Sequence, residues 1–447
     1  MSFPKYPSYL ETRNPWIGKV PEHWNKTIAH SVVKEKYVPN TGTAEKNLLS
    51  LSFGRIVSKD INTNDGLLPQ SFETYQIVEP QDIVFRPTDL QNDWNSLRSA
   101  MVRERGIITS AYIVVRVSNA SPSFLSYLFR AYDHCKVFYS MGGGLRQAFK
   151  FSDIKRLPIY APTIEEQVSI SSFLDLETSK IDGLVSEQRR LIELLKEKRQ
   201  AVISHAVTKG LNPNAPMKPS GIQWLGDVPE HWEIGRLNHL VDARKGIAFK
   251  ADDFIDEGVD VVKASDIKEL TIRTPSTFLP KEFVIEYPKA VLHASELVLS
   301  TVGSNPDVLN SAVGQLGRVP ENLAGSLLNQ NTVVFSPNEE TLTNHFLYYL
   351  IQTTGYRDHL DLHAHGTANQ ASLNVADMLH FQIPLPEPTE QVEIVDYLDR
   401  KMSMMDDLSA EAERAIELLQ ERRTALISAA VTGKIDVRGF ASKEALT

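Results

Sequence analysis

The feature that most constrains the fold of this chain is an internal repeat. The segment Trp16-Ile-Gly-Lys-Val-Pro-Glu-His-Trp24 recurs 208 positions later as Trp224-Leu-Gly-Asp-Val-Pro-Glu-His-Trp232. Further along, Ser204-His-Ala-Val-Thr208 recurs as Ser428-Ala-Ala-Val-Thr432, now 224 positions later. Matches in one order with a growing offset indicate a duplication in which the second copy carries small insertions. Both copies are therefore expected to fold in the same way.

Each copy begins with a segment of mixed secondary structure. Short apolar runs bounded by turn residues predict strands, and apolar residues at three- and four-residue steps predict one helix per copy. The predicted strands are Asn47–Phe53, Asp82–Phe85, Ile107–Val117, Val259–Lys263, Glu296–Ser300 and Thr332–Phe335, and the predicted helices are Phe124–Phe138 and Asn344–Thr353. Each of these segments is expected to form a globular α/β domain.

Each copy ends in a segment that predicts one long helix. Thr163-Ile-Glu-Glu166 has the pattern of a capping box, and no proline follows it before Thr208. Apolar residues then recur at seven-residue steps, which is typical of a coiled coil. They are Leu174, Ile181, Leu195 and Val202, widened by Leu184, Val185, Leu191 and Ile192, and in the second copy Leu398, Met405, Ala412, Leu419 and Leu426.

A linker rich in proline and glycine, residues 210–221, separates the copies, so the two helices can pair antiparallel. Packing of each apolar stripe on its own domain is the alternative. The favoured fold is α+β (mixed α/β), with two globular domains separated by an antiparallel coiled-coil helix pair and related by a pseudo-two-fold axis. The predicted boundaries are 1–161 and 224–386 for the globular domains, 162–209 and 387–434 for the helices, 210–223 for the linker and 435–447 for a tail.

Composition narrows the class of protein. No run of about 18 apolar residues occurs, and the first residues lack the apolar core of a signal peptide, so we expect neither a membrane span nor secretion. The single cysteine, Cys135, cannot form an internal disulfide or a metal cluster. These features predict a cytoplasmic protein.

The charge balance argues against a protein that binds nucleic acid, since the formal net charge is −9. The charge is uneven, however. Residues 26–155 carry 16 Lys and Arg against 12 Asp and Glu, whereas residues 233–380 carry 11 against 19. The second domain is therefore expected to bind phosphates only through local clusters of basic residues.

The ordered set of motifs resembles the specificity subunits of type I restriction–modification enzymes. The shared motifs are Trp-x-Gly-x-Val-Pro-Glu-His-Trp before each domain, Pro162–Gln167 and Pro386–Gln391 at the helix starts, and Val207–Gly210 and Val431–Lys434 at the helix ends. The resemblance implies that each globular domain is a target recognition domain that reads one half of a bipartite double-stranded DNA target. It also implies that the helices are spacers that fix the gap between the half-sites.

The same resemblance implies the partners of the chain and a role in anti-phage defence. Two DNA methyltransferase (modification) subunits and the restriction/translocase subunits are the expected partners. S-adenosylmethionine, ATP and Mg are expected on those subunits, and no cofactor is expected in this chain.

The search for catalytic motifs predicts a chain that is not itself an enzyme. The Asp/Asn/Ser-Pro-Pro-aromatic tetrapeptide of amino-methyltransferases is missing, since Asn14-Pro15-Trp16 lacks the second proline. No Gly-x-x-x-x-Gly-Lys-Ser/Thr phosphate loop occurs, and Gly142–Gly144 follows a predicted helix rather than a strand. His359, His363 and His365 are interpreted as part of a polar loop rather than a metal site. A methyltransferase or nuclease with unrecognised motifs, and a scaffold that binds protein instead of DNA, are the alternatives.

Candidate DNA-binding residues lie in polar loops of both domains. Glycines allow close backbone approach, Arg and Lys can contact phosphates, and Asn and Gln can bond base edges. The alternatives are turn caps for the amides and glycines, and a solvated face for the arginines. The candidates are Arg98, Arg103, Arg105, Gly143, Arg146, Gln147 and Lys150 in the first domain, and Lys263, Ser304, Asn305, Arg318, Asn329, Gln330, Thr367, Asn369 and Gln370 in the second. The tryptophans of the repeated boundary motif are expected to pack in the core.

Overall fold

A computed structural model describes residues 3–61, 71–90, 93, 96–141, 148–304, 313–367 and 370–440. The contacts within the chain divide it into two compact units, which are Met1–Arg189 with Glu413–Thr447, and Arg190–Ala412. Each unit therefore combines one globular domain with the beginning of one long helix and the end of the other.

The first unit contains short strands and one long helix that starts in it. Its strands are β1 (Tyr9–Glu11), β2 (Lys19–Pro21), β3 (Asn25–Ile28), β4 (Val33–Lys36), β5 (Leu48–Ser52), β6 (Arg55–Lys59), β7 (Gln76–Val78), β8 (Ile83–Phe85), β9 (Ser99–Met101), β10 (Gly106–Ile108), β11 (Ile113–Val117) and β12 (Pro158–Ala161). Its helices are α1 (Pro122–His134), α2 (Phe151–Ile154) and the start of α3 (Ile164–Lys209). Two four-stranded sheets have the orders β6-β5-β10-β7 and β4-β11-β8-β9, and β1-β2 and β12-β3 form separate pairs.

The second unit has a related set of elements. Its strands are β13 (Met217–Pro219), β14 (Asp227–Pro229), β15 (Glu233–Arg236), β16 (Val241–Lys245), β17 (Val259–Val262), β18 (Ile267–Lys268), β19 (Leu270–Ile272), β20 (Phe278–Leu279), β21 (Leu297–Ser300), β22 (Val302–Gly303), β23 (Leu316–Arg318), β24 (Leu327–Leu328), β25 (Thr332–Pro337), β26 (His365–Thr367), β27 (Gln370–Ser372) and β28 (Gln382–Leu385). Its helices are α4 (Leu237–Leu240), α5 (Phe283–Glu286), α6 (Asn344–Leu350), α7 (Thr354–His363), α8 (Val375–Leu379) and the start of α9 (Pro388–Val431).

The predicted internal repeat is confirmed by sheet topology. The order β4-β11-β8-β9 in the first unit recurs as β16-β25-β21-β23 in the second, within a larger six-stranded sheet. The hairpins β1-β2 and β13-β14 also correspond, as do the pairs β3-β12 and β15-β28. The duplicated sequence therefore forms one plan twice.

Three predicted elements need correction at their boundaries, and the first is the helix Phe124–Phe138, which ends at His134 in α1. The segment Ile107–Val117 is two strands, because the chain turns where the Tyr112 backbone N–H donates to the Thr109 carbonyl at 3.2 Å. Both halves are apolar, so the apolar pattern gave no sign of this turn. The predicted helix Asn344–Thr353 ends at Leu350, and a further helix, α7, starts immediately after Thr353. The Thr353 side chain caps α7 by accepting a hydrogen bond from the Tyr356 backbone N–H.

The predicted pairing of the long helices is confirmed, and they run antiparallel. In the first unit Leu174 near the start of α3 shares a core with Leu426 near the end of α9. In the second unit Leu195 towards the end of α3 shares a core with Leu398 near the start of α9. These cores also include residues of the adjacent globular domain, so the helix ends pack on each other and on a domain.

The predicted widening of the apolar stripe is wrong for two residues of α3. Leu184 is 46% exposed and Leu191 is 39% exposed, so both side chains point away from the core. The seven-residue positions Leu174 and Ile181 are buried, which leaves a narrow seam of the kind found in coiled coils.

None of the helices in the described ranges has a stretch long and apolar enough to cross a membrane.

Candidate nucleic-acid interface

The repeated boundary motif anchors each globular domain to a long helix. In the first unit the Glu166 carboxylate, in the first turn of α3, accepts hydrogen bonds from Trp24 Nε1 at 3.3 Å and from Tyr6 Oη at 2.8 Å. His23 Nε2 lies 2.9 Å from the same carboxylate. Burial is the main reason that the pKa of Tyr6 is raised well above its usual range, and the hydrogen bond to Glu166 adds to the effect.

The second unit repeats this anchor with the equivalent residues. Trp232 Nε1 donates to the Glu390 carboxylate at 2.9 Å, and His231 Nε2 lies 2.9 Å from it. The end of the other long helix lies close by, since a Cβ on Gly210 would be 3.2 Å from the Trp232 ring. Gly433 is placed in the same way against Trp24 in the first unit. Each tryptophan therefore lies beside the start of one helix and the end of the other.

A glutamine next to each glutamate forms a second bond of the anchor. Gln167 accepts from the Ser121 backbone N–H at 2.9 Å and donates to the Pro162 carbonyl at 2.9 Å. Gln391 accepts from the Thr343 backbone N–H at 2.8 Å and donates to the Pro386 carbonyl at 2.8 Å. The bond from Ser121 ties α1 to the start of the long helix α3, and the bond from Thr343 ties α6 to the start of the long helix α9. The Glu-Gln pair is part of the motif shared with the resembled family, but nothing in the sequence indicates this bonding role.

Three polar candidates of the second domain and one further amide line a single concave pocket. Lys263, Asn329, Gln330 and Asn331 surround a cavity of about 460 Å³ together with the aromatic rings of Phe249 and Phe254. Lys263 Nζ lies 5.0 Å from the centroid of the Phe254 ring. The side-chain amides of Asn329, Gln330 and Asn331 have no hydrogen bond to any other described residue. Free amides, a cation and aromatic surface are the groups that bond and stack nucleobases.

A second group of candidates meets at a small sheet. Strand β22 pairs with β27, and β27 pairs with β26 in a hairpin. Ser304 directly follows β22, so it lies near the end of this hairpin at which β26 ends with Thr367 and β27 begins with Gln370. Sequence analysis placed these residues in two separate loops. Asn305 and Asn369 lie outside the described residues.

Arg318 has a different environment from the pocket. Its Nη2 lies 2.5 Å from His345 Nε2, and its guanidinium stacks on the Tyr348 ring with 5.6 Å between guanidinium carbon and ring centroid. The side chain is half-buried on β23 beside α6. It therefore packs within the domain and is not among the residues that line the pocket.

Arg98 is not placed to contact DNA phosphates, which corrects the sequence-based expectation. The residue is fully buried, and its guanidinium donates to the carbonyls of Thr88 and Asp89 at 2.5 and 3.0 Å, and also to that of Asp93. The guanidinium also stacks on the Tyr139 ring. These bonds satisfy backbone carbonyls of the loop that follows β8, so the side chain holds this loop.

The other basic candidates of the first domain are at the surface. Arg103 and Lys150 are exposed. Arg105 is paired with Glu45 at 3.1 Å and with Glu79 at 3.5 Å. Gly143, Arg146 and Gln147 lie outside the described residues. The first domain thus offers at least two exposed cations and one paired cation.

The histidine cluster of the second domain was predicted to lie in a polar loop, and this is wrong for two of its members. His359 and His363 lie on α7, with ring centroids 4.4 Å apart. His359 Nε2 donates to the Asp377 carbonyl and His363 Nδ1 to the His359 carbonyl, both at 2.8 Å. Burial lowers the pKa of His359. Within the described ranges no group of three metal-ligating side chains could hold an ion.

The long helices present exposed apolar side chains at corresponding positions. Val168 and Val392 are 49% and 51% exposed, and Leu184 and Leu408 are both 46% exposed. Leu194 and Leu418 form a third pair. In every pair the two residues differ by 224 positions, which is the offset of the repeat in the helices. Single exposed apolar side chains are ordinary on a protein surface, so the notable observation is that these three positions recur in both copies.

Comparison with known proteins identifies relatives of the whole chain. Residues 229–418 match the family described as type I restriction modification DNA specificity domain. The chain is 24% identical to the MjaVIII specificity subunit of Methanocaldococcus jannaschii, over 81% of this chain and 83% of that protein. The putative MjaX specificity subunit of the same organism is 21% identical over 94% of this chain and 96% of that protein.

Solved structures share the fold. A chain from a study of complex assembly and conformational transition of the type I R-M system superposes with a TM-score of 0.67 at 17% identity, over 92% of this chain and 98% of that one. The HsdS subunit from Thermoanaerobacter tengcongensis superposes with a TM-score of 0.51 at 18% identity, over 93% of this chain and 98% of that one. The arrangement of strands and long helices is therefore common to these proteins.

Proposed function

We propose that the chain is a specificity subunit of a type I restriction–modification enzyme and selects the DNA sequence on which partner subunits act. Its similarity to that family over residues 229–418 and to specificity subunits over most of the chain supports this proposal. Each globular domain reads one half of a bipartite target, and the helix pair sets the distance between the halves. The chain itself carries no catalytic step and acts in the cytoplasm. Methyl transfer with S-adenosylmethionine, and ATP- and Mg-dependent restriction, belong to its partners.

The duplicated anchor is the observation that carries this proposal. Each domain is bonded through its tryptophan to the start of one helix, by Trp24 to Glu166 and by Trp232 to Glu390. Two recognition domains held by equivalent bonds to the same pair of rigid helices suit a target made of two half-sites with a fixed gap. A domain on a flexible tether would tolerate variable gaps.

Base recognition in the second domain is assigned to the pocket that Lys263, Asn329 and Gln330 line. This domain is acidic overall, so its affinity for DNA depends on local groups rather than on bulk charge. Asn and Gln amides form bidentate bonds to adenine, and Lys bonds to guanine. The hairpin of Thr367 and Gln370 adds a second contact, and in the first domain Arg103, Arg105 and Lys150 supply the phosphate contacts.

The partner surfaces are assigned to the exposed apolar positions of the helices. Two methyltransferase subunits would dock on equivalent surfaces, one that includes Leu184 and one that includes Leu408. Because the surface is present once in each copy of the repeat, the chain has two such surfaces, which suits the binding of two methyltransferase subunits.

The test is a methylome. The chain is co-expressed with its cognate methyltransferase subunit in a host free of DNA methylation, and the genome is sequenced by a modification-sensitive method. We expect methylation at a split motif of two short halves with a fixed gap, absent when this chain is omitted. Exchange of residues 20–160 for another recognition domain should alter one half alone.

Point variants refine this test. Asn329→Ala is expected to relax one base position in one half, because a bidentate amide contact discriminates between bases by about 1–3 kcal/mol. Lys281→Ala, an exposed lysine that does not line the pocket, is the matched control. Methylation that is continuous, palindromic or independent of the chain would overturn the proposal and favour a protein-binding scaffold, which the acidic second domain would suit.

A further inference from the structure

The first unit contains a large cleft of which the proposed function uses only one lining residue, Arg103. Its volume is about 930 Å³, and it lies between the first domain and the paired ends of α3 and α9. The charged residues that line it are Arg55, Arg103, Arg130, Arg423, Asp175 and Asp182. Four arginines against two aspartates leave a surplus of positive charge, which would attract an anion.

Arg130 has hydrogen-bonding capacity left over in this cleft. One of its terminal nitrogens, Nη2, donates to the Ser99 carbonyl at 3.0 Å and also to that of Gly54. Its Nε is buried and has no partner among the described residues. Burial, and then the charge of the neighbouring Arg423, lower the pKa of Arg130 to about 10. The nearby Asp133 carboxylate offsets the cost of burying this guanidinium in part, and a bound anion would offset it further.

The other arginines differ in how far they are neutralised. Arg55 and Arg423 both pair with the Asp182 carboxylate, at 3.0 and 3.3 Å. Arg103 is exposed at the rim and has no ion pair within the described ranges. One carboxylate shared by two arginines, together with a third arginine at the rim, leaves donors for an incoming anion.

The corresponding region of the second unit is filled by large side chains. Ser121 and Thr343 occupy equivalent positions, because each is bonded to the glutamine at the start of a long helix. By this alignment Ser123 corresponds to His345 and Ser126 to Tyr348. His345 and Tyr348 hold Arg318 by a hydrogen bond and by stacking. In the first unit two small serines line the cleft instead.

We propose that this cleft is a binding site for a phosphate-bearing ligand. Arg guanidinium groups bind phosphate oxygens in a bidentate manner, and several arginines around one concave site are suited to a phosphate or polyphosphate. The volume is within the range of small-molecule sites. The ligand is either a free phosphorylated compound or a phosphodiester of bound DNA, and only the second possibility rests on the proposed function.

The first arm of the test measures binding of pyrophosphate to the full-length chain by calorimetry. Two variants probe the cleft. Arg103→Gln removes the unpaired donor, and Ser126→Tyr introduces the side chain that the second unit has at this position. Each is expected to weaken pyrophosphate binding by roughly tenfold or more, which corresponds to one charge-assisted hydrogen bond. Arg273→Gln, at an exposed arginine of the second domain, is the matched control and should change nothing.

The second arm distinguishes the two sources. If a phosphodiester occupies the cleft, target DNA displaces pyrophosphate, and Ser126→Tyr, which leaves Arg103 in place, weakens DNA binding as well as pyrophosphate binding. If a free compound is the ligand, DNA and pyrophosphate bind together. Binding of pyrophosphate and of DNA that is unchanged in both cleft variants would overturn the proposal, while the split methylation motif would be unaffected.

Discussion

The carboxylate of Glu166 allows a quantitative prediction from the two copies of one anchor. Glu166→Ala leaves two donors, Trp24 Nε1–H and Tyr6 Oη–H, without an acceptor in a site where the glutamate is only 8% exposed. Each unsatisfied buried donor costs about 1–3 kcal/mol, so the loss of an acceptor for two donors should lower the stability of the first unit by about 2–6 kcal/mol.

The equivalent change in the second unit should cost less. Glu390→Ala removes the acceptor of one buried donor, Trp232 Nε1–H, because its other partner, His231, is exposed and can bond water. The Glu390 side chain is itself 27% exposed, so water can take the place of the carboxylate. We expect a loss of about 1 kcal/mol, at the low end for one hydrogen bond. The two variants therefore rank the anchors by burial and donor number, although both substitutions are chemically identical.

Hydrogen exchange with mass spectrometry is the assay, because it reports the two units separately where a single unfolding curve would not. Protection of amides in β3 and β12 should fall by roughly 30- to 20,000-fold in Glu166→Ala, since each 1.4 kcal/mol is a factor of ten. In Glu390→Ala the fall in β15 and β28 should be roughly fivefold. Glu165→Ala, at an exposed glutamate in the same helical turn, is the control. Equal losses in the two units, or a loss in the Glu165 variant as large as that in Glu166→Ala, would refute the reasoning.

Three further predictions follow from single contacts. Arg98→Lys should destabilise the first domain by about 3 kcal/mol, because carbonyls of the loop after β8 lose charged donors. The same variant should leave the salt dependence of DNA binding unchanged in titrations. The hydrogen bond from Lys36, and to a smaller extent the one from Arg116, lower the pKa of Glu79 to about 2. The contribution of Glu79 to stability is therefore present above pH about 4.5 and is lost as the pH falls to about 2. Glu79→Gln should remove that part of the pH dependence in acid titrations followed by circular dichroism, and an unchanged pH profile would count against the ion pairs. Leu184→Asp or Leu408→Asp should each reduce the methyltransferase copies in the purified complex from two to one by mass measurement, and retention of both copies would exclude those surfaces.

The helices could be predicted from the sequence because their signal is local. Leu174, Ile181, Leu398 and Met405 recur at seven-residue steps, and such spacing needs no knowledge of distant contacts. Leu184 has the same chemistry as Leu174, yet it is exposed, because its position on the helix surface falls outside the seam. Seven-residue periodicity identifies which side of a helix is apolar, but the width of the buried seam depends on the elements that pack against it.

The candidate site could be predicted only in part, for the opposite reason. Lys263 and Asn329 are 66 residues apart in the chain, and β17 and β24 bring them to one pocket by parallel pairing that no local pattern encodes. Arg98 belongs to a basic stretch with Arg103 and Arg105, but burial separates it from them. Charge density in a sequence does not distinguish an arginine that faces solvent from one that bonds backbone carbonyls.

The division of the chain into units has a consequence for synthesis on the ribosome. The second unit, residues 190–412, is one continuous stretch, whereas the first needs Leu426, Ile427 and Val437 from the far end of the chain to complete its core. Because domains fold as units while the chain emerges, the unit made later is expected to finish first. A released chain truncated at about residue 412 should therefore hold a folded second domain and an unfinished first one, so a premature stop codon late in the gene would damage the domain encoded earliest.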